Sequence, residues 1–378
     1  MLLYNIFRFG FALVFVGLHA ALMAGLYMEW KRDKRARFNP AAVSWMPKVT
    51  VIIPVHNESS RMEGIFRSLE TQDYPEAEFI FIDDRSSDES AQLISAFLKN
   101  KPSMRLISLT ENPGFNHKQF ALARGIEVSS GEFFLFTDAD CEIPQGWIAA
   151  MVKRMADKKV GAAIGPVLKR SGGQGFFHLY QCFEHGVRFM YLAGSTGLGA
   201  AGGGFGNNLI LRRASLEAVG GYESIPPSPT EDAALVSRIR ACSDFQIRAA
   251  LGPDVHVITK GELGWKDFIN QTLRWNNGGL FSPDFSTRLN FGFLMVTISM
   301  GILAIPFLPF FPSIWPLPAA VILSMTADTI ATLGLFGVSL PKKGPAYILQ
   351  LLFTPVYFTF LTIIGFCGIK PEWKGSKM

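Results

Sequence analysis

Phe133, Phe134, Leu135 and Phe136 form an unbroken apolar run that ends on Thr137-Asp138-Ala139-Asp140. Four apolar residues without alternation fit a strand buried on both faces, as in a parallel sheet. Three further runs precede it: Val49–Pro54, Glu78–Asp84 and Arg105–Leu109. Helical stretches separate them. The first carries Ile65, Phe66 and Leu69 on one face, the second opens at Arg85-Ser86-Ser87-Asp88, and the third runs from Lys118 to Val128. Strand and helix in alternation predict an α/β, Rossmann-like, doubly wound domain with a mostly parallel sheet. Ligands of such sheets bind in the crevice beyond the carboxyl ends of the strands.

The acids at those ends carry the chemistry. Asp138 and Asp140 stand one residue apart and repel each other unless a cation or a donor lies between them. A hard divalent ion with bound phosphates suits the pair, because Mg²⁺ takes one or two carboxylates plus phosphate oxygens and water. Asp83 and Asp84 end the second strand in the same way.

The chain is 49% hydrophobic and only 18% charged, which points to membrane segments. An apolar run from about Asn5 to Met28 is long enough to span a bilayer. Lys31, Arg32, Lys34, Arg35 and Arg37 follow it, which reads as an uncleaved anchor with the downstream domain in the cytosol. Apolar stretches at about 291–311, 317–340 and 346–368 are each long enough to span. Asp328 lies inside the second of these, and Lys342-Lys343 follows it. The expected organisation is an N-terminal transmembrane anchor (1–30), a basic juxtamembrane linker (31–47) and a cytosolic catalytic domain (48–260). An interfacial amphipathic region (261–289), about three membrane helices (290–368) and a basic tail (369–378) follow. The net charge of +5 sits beside the membrane segments, so nucleic acid is not expected as a partner. Cys141, Cys182, Cys242 and Cys367 show no paired spacing, against a disulfide framework or a cysteine zinc site.

The second half of the domain is less regular. Trp147–Met155 reads as a helix, Val160–Leu168 as one strand, and Phe176–Leu192 as an aromatic-rich helix. His178, Cys182 and His185 share a face of that helix, and a packed face is the expectation there. Gly194–Gly206 is glycine-rich but lacks the context of a phosphate-binding loop. It is expected to let backbone approach a ligand or move. A proline-rich loop at Pro226–Pro229 leads into Thr230-Glu231-Asp232 and a helix. Trp265–Trp275 is amphipathic, fit for a membrane interface.

Taken together, the motifs resemble those of a membrane-embedded family 2 glycosyltransferase of the GT-A fold, over about Val49 to Trp275. Asp83–Asp88 resembles the DDxSxD nucleotide loop. His117–Leu122 resembles the GKxxAL segment, with His where Gly is usual. Asp138-Ala139-Asp140 matches DxD, Thr230-Glu231-Asp232 matches TED, and Gln271–Trp275 matches QxxRW. The tail Trp373–Lys377 resembles a WKGR ending, with Ser in place of Arg.

The resemblance implies inverting transfer of a sugar from a nucleotide diphosphate, uridine by likeness, to a hydroxyl of a lipid or glycan acceptor at the cell membrane. It places the nucleotide at Pro54, Glu58, Asp83, Asp84, Lys118 and Asp138. Mg²⁺ or Mn²⁺ falls to Asp140 with Asp138, and the general base is Asp232. Glu231, Gln271, Arg274 and Trp275 take the acceptor and the diphosphate. Single transfer to a membrane lipid is the leading expectation. A processive polysaccharide synthase, and a non-catalytic binder of nucleotide sugar, are the alternatives.

Overall fold

The computed structural model describes residues 2–377 except 43, 115, 174, 227, 229, 338, 341–343, 374 and 375. Lys342-Lys343, two prolines of the 226–229 loop and the centre of the 373–377 tail therefore lie outside the described residues. The chain opens with helix α1 (Leu2–Arg37), then β1 (Val49–Val55), α2 (Glu63–Glu70), β2 (Ala77–Asp84), α3 (Ser90–Phe97) and β3 (Met104–Leu109). Next come α4 (His117–Glu127), β4 (Phe133–Phe136), β5 (Cys141–Glu142), α5 (Trp147–Lys153), β6 (Val160–Ile164) and β7 (Val167–Arg170). Helix α6 (Phe176–Gly197), β8 (Leu209–Arg212), α7 (Arg213–Glu217), α8 (Glu231–Cys242), β9 (Gln246–Ala249) and β10 (Val257–Lys260) follow. The remainder is α9 (Trp265–Leu280), α10 (Phe285–Ala304), α11 (Pro316–Phe336), α12 (Gly344–Phe366) and a hairpin of β11 (Glu372–Trp373) with β12 (Ser376–Lys377).

These elements form two compact units. One holds residues 28–170 and 201–260, and the other residues 1–27, 171–200 and 261–378. Helix α1 contributes to both.

The first unit is α/β. Its main sheet has the order β3-β2-β1-β4-β8-β6-β9. The first four strands run parallel, and β8 is antiparallel to both of its neighbours. Every residue of β4 is buried, as an unbroken apolar run demands. The register sets Val55 beside Asp83 and Val49 beside Phe133, so the acids of β2 and the Asp138 turn emerge from one edge. The expected single strand from Val160 to Leu168 is corrected. It divides at Gly165-Pro166, with β6 in the main sheet and β7 beside β10 in a small second sheet. Pro166 has no N–H to continue a ladder. The Asn208 side chain takes over, donating to the carbonyls of Pro166 and Val255 at 2.7 Å each. The basic end of α1 packs within this unit. The buried Arg154 guanidinium reaches Asp33 at 2.8 Å and Asp254 at 2.7 Å, while Glu29 accepts from the Ala249 N–H at 2.9 Å.

The second unit is helical. Its core gathers Phe15, Tyr180, Phe268, Leu273, Ile298, Val321, Tyr357 and Leu361. Among the described residues three helices are long and apolar enough to cross a membrane: Phe9–Arg37, Phe285–Phe307 and Pro312–Phe336. Gln350–Phe366 is a shorter apolar helix. Helix α6 runs past its expected end at Leu192 to Gly197, so the glycine-rich stretch begins inside a helix. Its glycines serve helix packing rather than a ligand there. A Cβ at Gly197 would lie 1.9 Å from the Gly25 carbonyl oxygen, so α1 and α6 meet backbone to backbone. Farther along α1 and α6, His19 is joined to Asp328 of α11 at 3.2 Å, and the Tyr191 hydroxyl donates to the same Asp328 oxygen at 2.5 Å.

Candidate active site

The α/β unit carries its acids at the carboxyl edge of the sheet. The β1–α2 and β2–α3 loops are sewn together there. The Asn57 N–H donates to the Ser86 hydroxyl at 3.0 Å, the Glu58 N–H to Ser90 at 2.9 Å, and the Ser59 N–H to Asp88 at 3.0 Å. His56 Nδ1 donates to the Asp84 carbonyl at 2.6 Å. Burial opposes the Asp88 charge, yet the donors of Ser90 and Ser59 hold its carboxyl well below the usual range. Asp88 thus acts as a rivet between the loops. Pro54 lies beside Ile82 at the end of this frame.

Asp83 and Asp84 are both buried. Asp83 accepts from the Ser86 N–H at 3.2 Å. Asp84 Oδ1 holds the Arg85 guanidinium at 2.8 Å, and Arg85 in turn reaches His117 Nδ1 at 2.7 Å. Arg85 adopts φ +55°, a left-handed conformation uncommon outside glycine, which bends its side chain back over Asp84.

Lys118 is the hub of the site. Its Nζ lies 2.7 and 3.0 Å from the two oxygens of Asp138 and 3.8 Å from Glu231. Burial alone pulls an ammonium down, but the charges of Asp138, Glu231 and Asp232 outweigh it and hold Lys118 above its ordinary value. Asp232 stands in the first turn of α8, where the helix dipole favours an acid. It accepts from the Gly206 N–H at 2.7 Å and the Ala233 N–H at 2.8 Å. Burial first, then the Glu231 charge, push the Asp232 carboxyl up to about 6 against the pull of Lys118 and of those two N–H donors. A Cβ at Gly206 would crowd Asp232 at 3.2 Å, so this glycine keeps the approach open.

Asp140 is held by Arg61 Nη2 at 2.7 Å and by the Thr259 hydroxyl at 3.2 Å. The cation and donor that the DxD pair requires are therefore Lys118 on Asp138 and Arg61 on Asp140. Arg61 also lies 4.0 Å from Glu58. Among the described residues no three of His, Cys, Asp and Glu converge as a ready metal centre. The Cys141 thiol beside Asp140 is buried, and burial together with the Asp140 and Asp138 charges raises it, so it remains a thiol.

The structure therefore brings Lys118, Asp138, Glu231 and Asp232 into one cluster, with Asp140, Glu58, Asp83 and Asp84 on the same unit. Gln271, Arg274 and Trp275 belong to the helical unit. There Gln271 donates to Glu262 at 2.9 Å, and Trp275 packs edge-on against His185 and under the Arg188 guanidinium. Arg61, Thr259, Gly206 and Arg85 were missed by sequence reasoning. A basic residue three after Glu58, in a loop rich in polar residues, was the available signal for Arg61.

The chain is similar to several known glycosyltransferases. The chain is 23% identical over 278 residues to the beta-monoglucosyldiacylglycerol synthase of Trichormus variabilis, covering 70% of this chain and 58% of that protein. It thus spans about three fifths of the first curated relatives. A GalNAc(5)-diNAcBac-PP-undecaprenol beta-1,3-glucosyltransferase of Campylobacter jejuni is 28% identical over 112 residues, 29% of this chain and 35% of that protein. A mannosyltransferase of Pyrobaculum calidifontis, solved in complex with GDP-Man and Mn²⁺, shares the fold with a TM-score of 0.53 at 20% identity, covering 94% of this chain and 98% of the other. The model of glycosyl transferase family 21 matches residues 12–378. With that match across the sheet, the acid cluster and the apolar helices, the chain belongs to glycosyl transferase family 21.

Proposed function

We propose that the protein transfers a sugar, with inversion, from a uridine-type nucleotide diphosphate to a hydroxyl of a membrane lipid, with its α/β unit in the cytosol and its apolar helices in the cell membrane. The observation that carries this reading is Asp232, raised to about 6 and tied through Lys118 to Asp138. A base of that strength is ionised at neutral pH yet strong enough to accept a proton. Two relatives support the lipid acceptor, since their names include diacylglycerol and undecaprenol.

In this reading the acceptor oxygen bonds to the anomeric carbon as the bond from that carbon to the diphosphate oxygen breaks. The hydroxyl proton passes to Asp232, and the electron pair leaves with the nucleotide diphosphate. Lys118 offsets charge on the phosphate side and holds Asp138 in place. Asp83 and Asp84, framed by Pro54 and Glu58, take the base and ribose. Glu231 serves the acceptor beside Asp232, and the family motif alone assigns Gln271, Arg274 and Trp275 to acceptor and phosphate.

Mg²⁺ or Mn²⁺ fits Asp138 and Asp140. The donor set is all oxygen, the two carboxylates sit one residue apart at a strand end, and among the described residues no third protein ligand joins them, which leaves the remaining coordination to phosphate and water. Such an ion, when bound, neutralises charge on the leaving diphosphate. The fold relative solved with Mn²⁺ is the precedent.

The test is a panel of radiolabelled nucleotide sugars with purified protein, divalent ion and a total lipid extract. One discrete labelled product in the organic phase, lost in Asp232→Asn, is the expected result. An aqueous ladder of products would instead indicate a polysaccharide synthase.

A further inference from the structure

The basic run after the first apolar stretch divides by direction once it is wound into α1. Glu29 and Asp33 stand one turn apart on one side, and both are buried. Glu29 accepts from the Ala249 N–H at 2.9 Å, and Asp33 holds Arg154 at 2.8 Å. Arg32 and Arg37 turn toward carboxylates, Arg32 to Glu29 at 2.6 Å and Arg37 to Asp254 at 3.2 Å. Trp30, Lys31, Lys34 and Arg35 recur at the spacing of a single helix face, and Phe38, just past the helix end, continues it. All five are exposed, Trp30 at 41% and Phe38 at 68%. Lys34 Nζ sits over the Trp30 ring at 5.4 Å. The period of 3.6 residues sets this stripe opposite the two acids. The end of α1 is thus sorted by charge, with acids inward and three cations outward between two aromatic side chains.

We infer that this stripe is an interaction surface for the headgroups of anionic phospholipids. The inference rests on the reading that α1 crosses a membrane. A topology signal needs only a surplus of cations near a helix end. It does not need the cations gathered on one face, the acids buried on the other, or aromatic side chains at both ends. At 1.5 Å per residue, Lys31 and Arg35 lie about 5 and 10 Å beyond Met28. That is the depth of the headgroups and the water just outside them. The stripe continues an apolar span, so the partner it meets first is the lipid around that span. A zwitterionic headgroup offers it no net charge, whereas an anionic one does. Each lysine or arginine near such a surface strengthens binding about fivefold. The Trp30 ring suits the same layer, with an apolar body and a polar edge.

The experiment titrates the purified full chain, in a neutral detergent, with phosphatidylglycerol and with phosphatidylcholine, counting bound lipids by native mass spectrometry. The native chain binds phosphatidylglycerol about tenfold more tightly, and raised ionic strength removes most of that preference. The triple variant Lys31→Gln, Lys34→Gln, Arg35→Gln loses the preference. The triple variant Lys31→Arg, Lys34→Arg, Arg35→Lys keeps it. Lys99→Gln, Lys158→Gln, Lys159→Gln, the same change of charge at exposed positions elsewhere, also keeps it. Trp30→Ala with Phe38→Ala weakens both lipids a few-fold and leaves the preference in place. Equal binding of the two lipids by the native chain, or an undiminished preference in the Gln variant of the stripe, overturns the inference while leaving sugar transfer intact. A loss as large in the variant at Lys99, Lys158 and Lys159 overturns it as well, since net charge alone would then account for the preference. A chain that stays in solution without detergent and binds neither lipid overturns the membrane reading and this inference together.

Discussion

Two groups of buried charge can be compared in this molecule. In the α/β unit, Lys118 faces Asp138, Glu231 and Asp232, so one ammonium serves three carboxylates. In the helical unit, His19 and Tyr191 both serve one carboxylate, Asp328. The first group is under-neutralised and lies at a sheet edge where loops meet solvent. The second sets two donors on one oxygen of a single carboxylate, leaves Asp328 Oδ1 buried without a partner, and sits within apolar helices. An excess of negative charge raises a pKa and readies a base, whereas donors drawn from two other helices onto one carboxylate fix one packing of helices. Buried charge is therefore not one signal. Its stoichiometry and access separate chemistry from assembly.

The comparison breaks first at Asp232. Asp232→Asn should lower sugar transfer by about 10²- to 10⁴-fold with donor binding retained. Because burial raises the folded carboxyl to about 6, its contribution to stability is full below the unfolded value and is lost as pH rises through 6. Asp232→Asn should abolish that pH dependence in thermal melts across pH 4 to 7. If turnover survives the substitution, the base lies elsewhere.

In the helical unit, His19→Leu alone and Asp328→Leu alone should each cost about 3 kcal/mol, because each takes one partner from a buried polar group. The double variant should recover much of that loss. Additive losses in detergent melts would show that the two residues are not coupled.

Lys118→Met sharpens the contrast by leaving three carboxylates without their cation. The acid limb of the pH–rate profile should move to higher pH, since Lys118 is what lowers Asp232. An unmoved limb would assign that limb to another group. The smallest effect belongs to Thr259→Val, which removes one hydrogen bond to Asp140 and should cost about 1 kcal/mol. The apparent affinity for the divalent ion should fall only a few-fold, read by titrating Mn²⁺ against activity.

Much of the α/β frame was legible in the chain. Unbroken apolar runs marked β1, β2 and β4, and the acids at their ends marked the edge. The dipole preference for acids placed Glu231 and Asp232 at a helix start. Pairings between distant segments were not legible. Nothing local to Lys118 tells of Glu231, and nothing near Arg61 tells of Asp140, because only the sheet register brings those loops together. The division at Pro166 was hidden inside a continuous apolar run, where the missing N–H mattered more than hydrophobicity. The glycine-rich stretch divides between two roles, Gly194 and Gly197 against α1 and Gly206 beside Asp232, and a glycine cleared for a site and one cleared for a neighbouring helix look alike in sequence. His19 and Asp328 each showed as a polar interruption of an apolar run, but not as partners.

That last pairing bears on how the protein is made. His19 is synthesised 309 residues ahead of Asp328, and Gly25 well ahead of Gly194 and Gly197. Helix α1 must therefore wait, its imidazole and its bare glycine face uncovered, for helices that emerge much later. A nascent chain arrested before α11 would present an unclasped α1 to quality control, and synthesis of α11, rather than formation of α1, would mark the point at which this clasp closes.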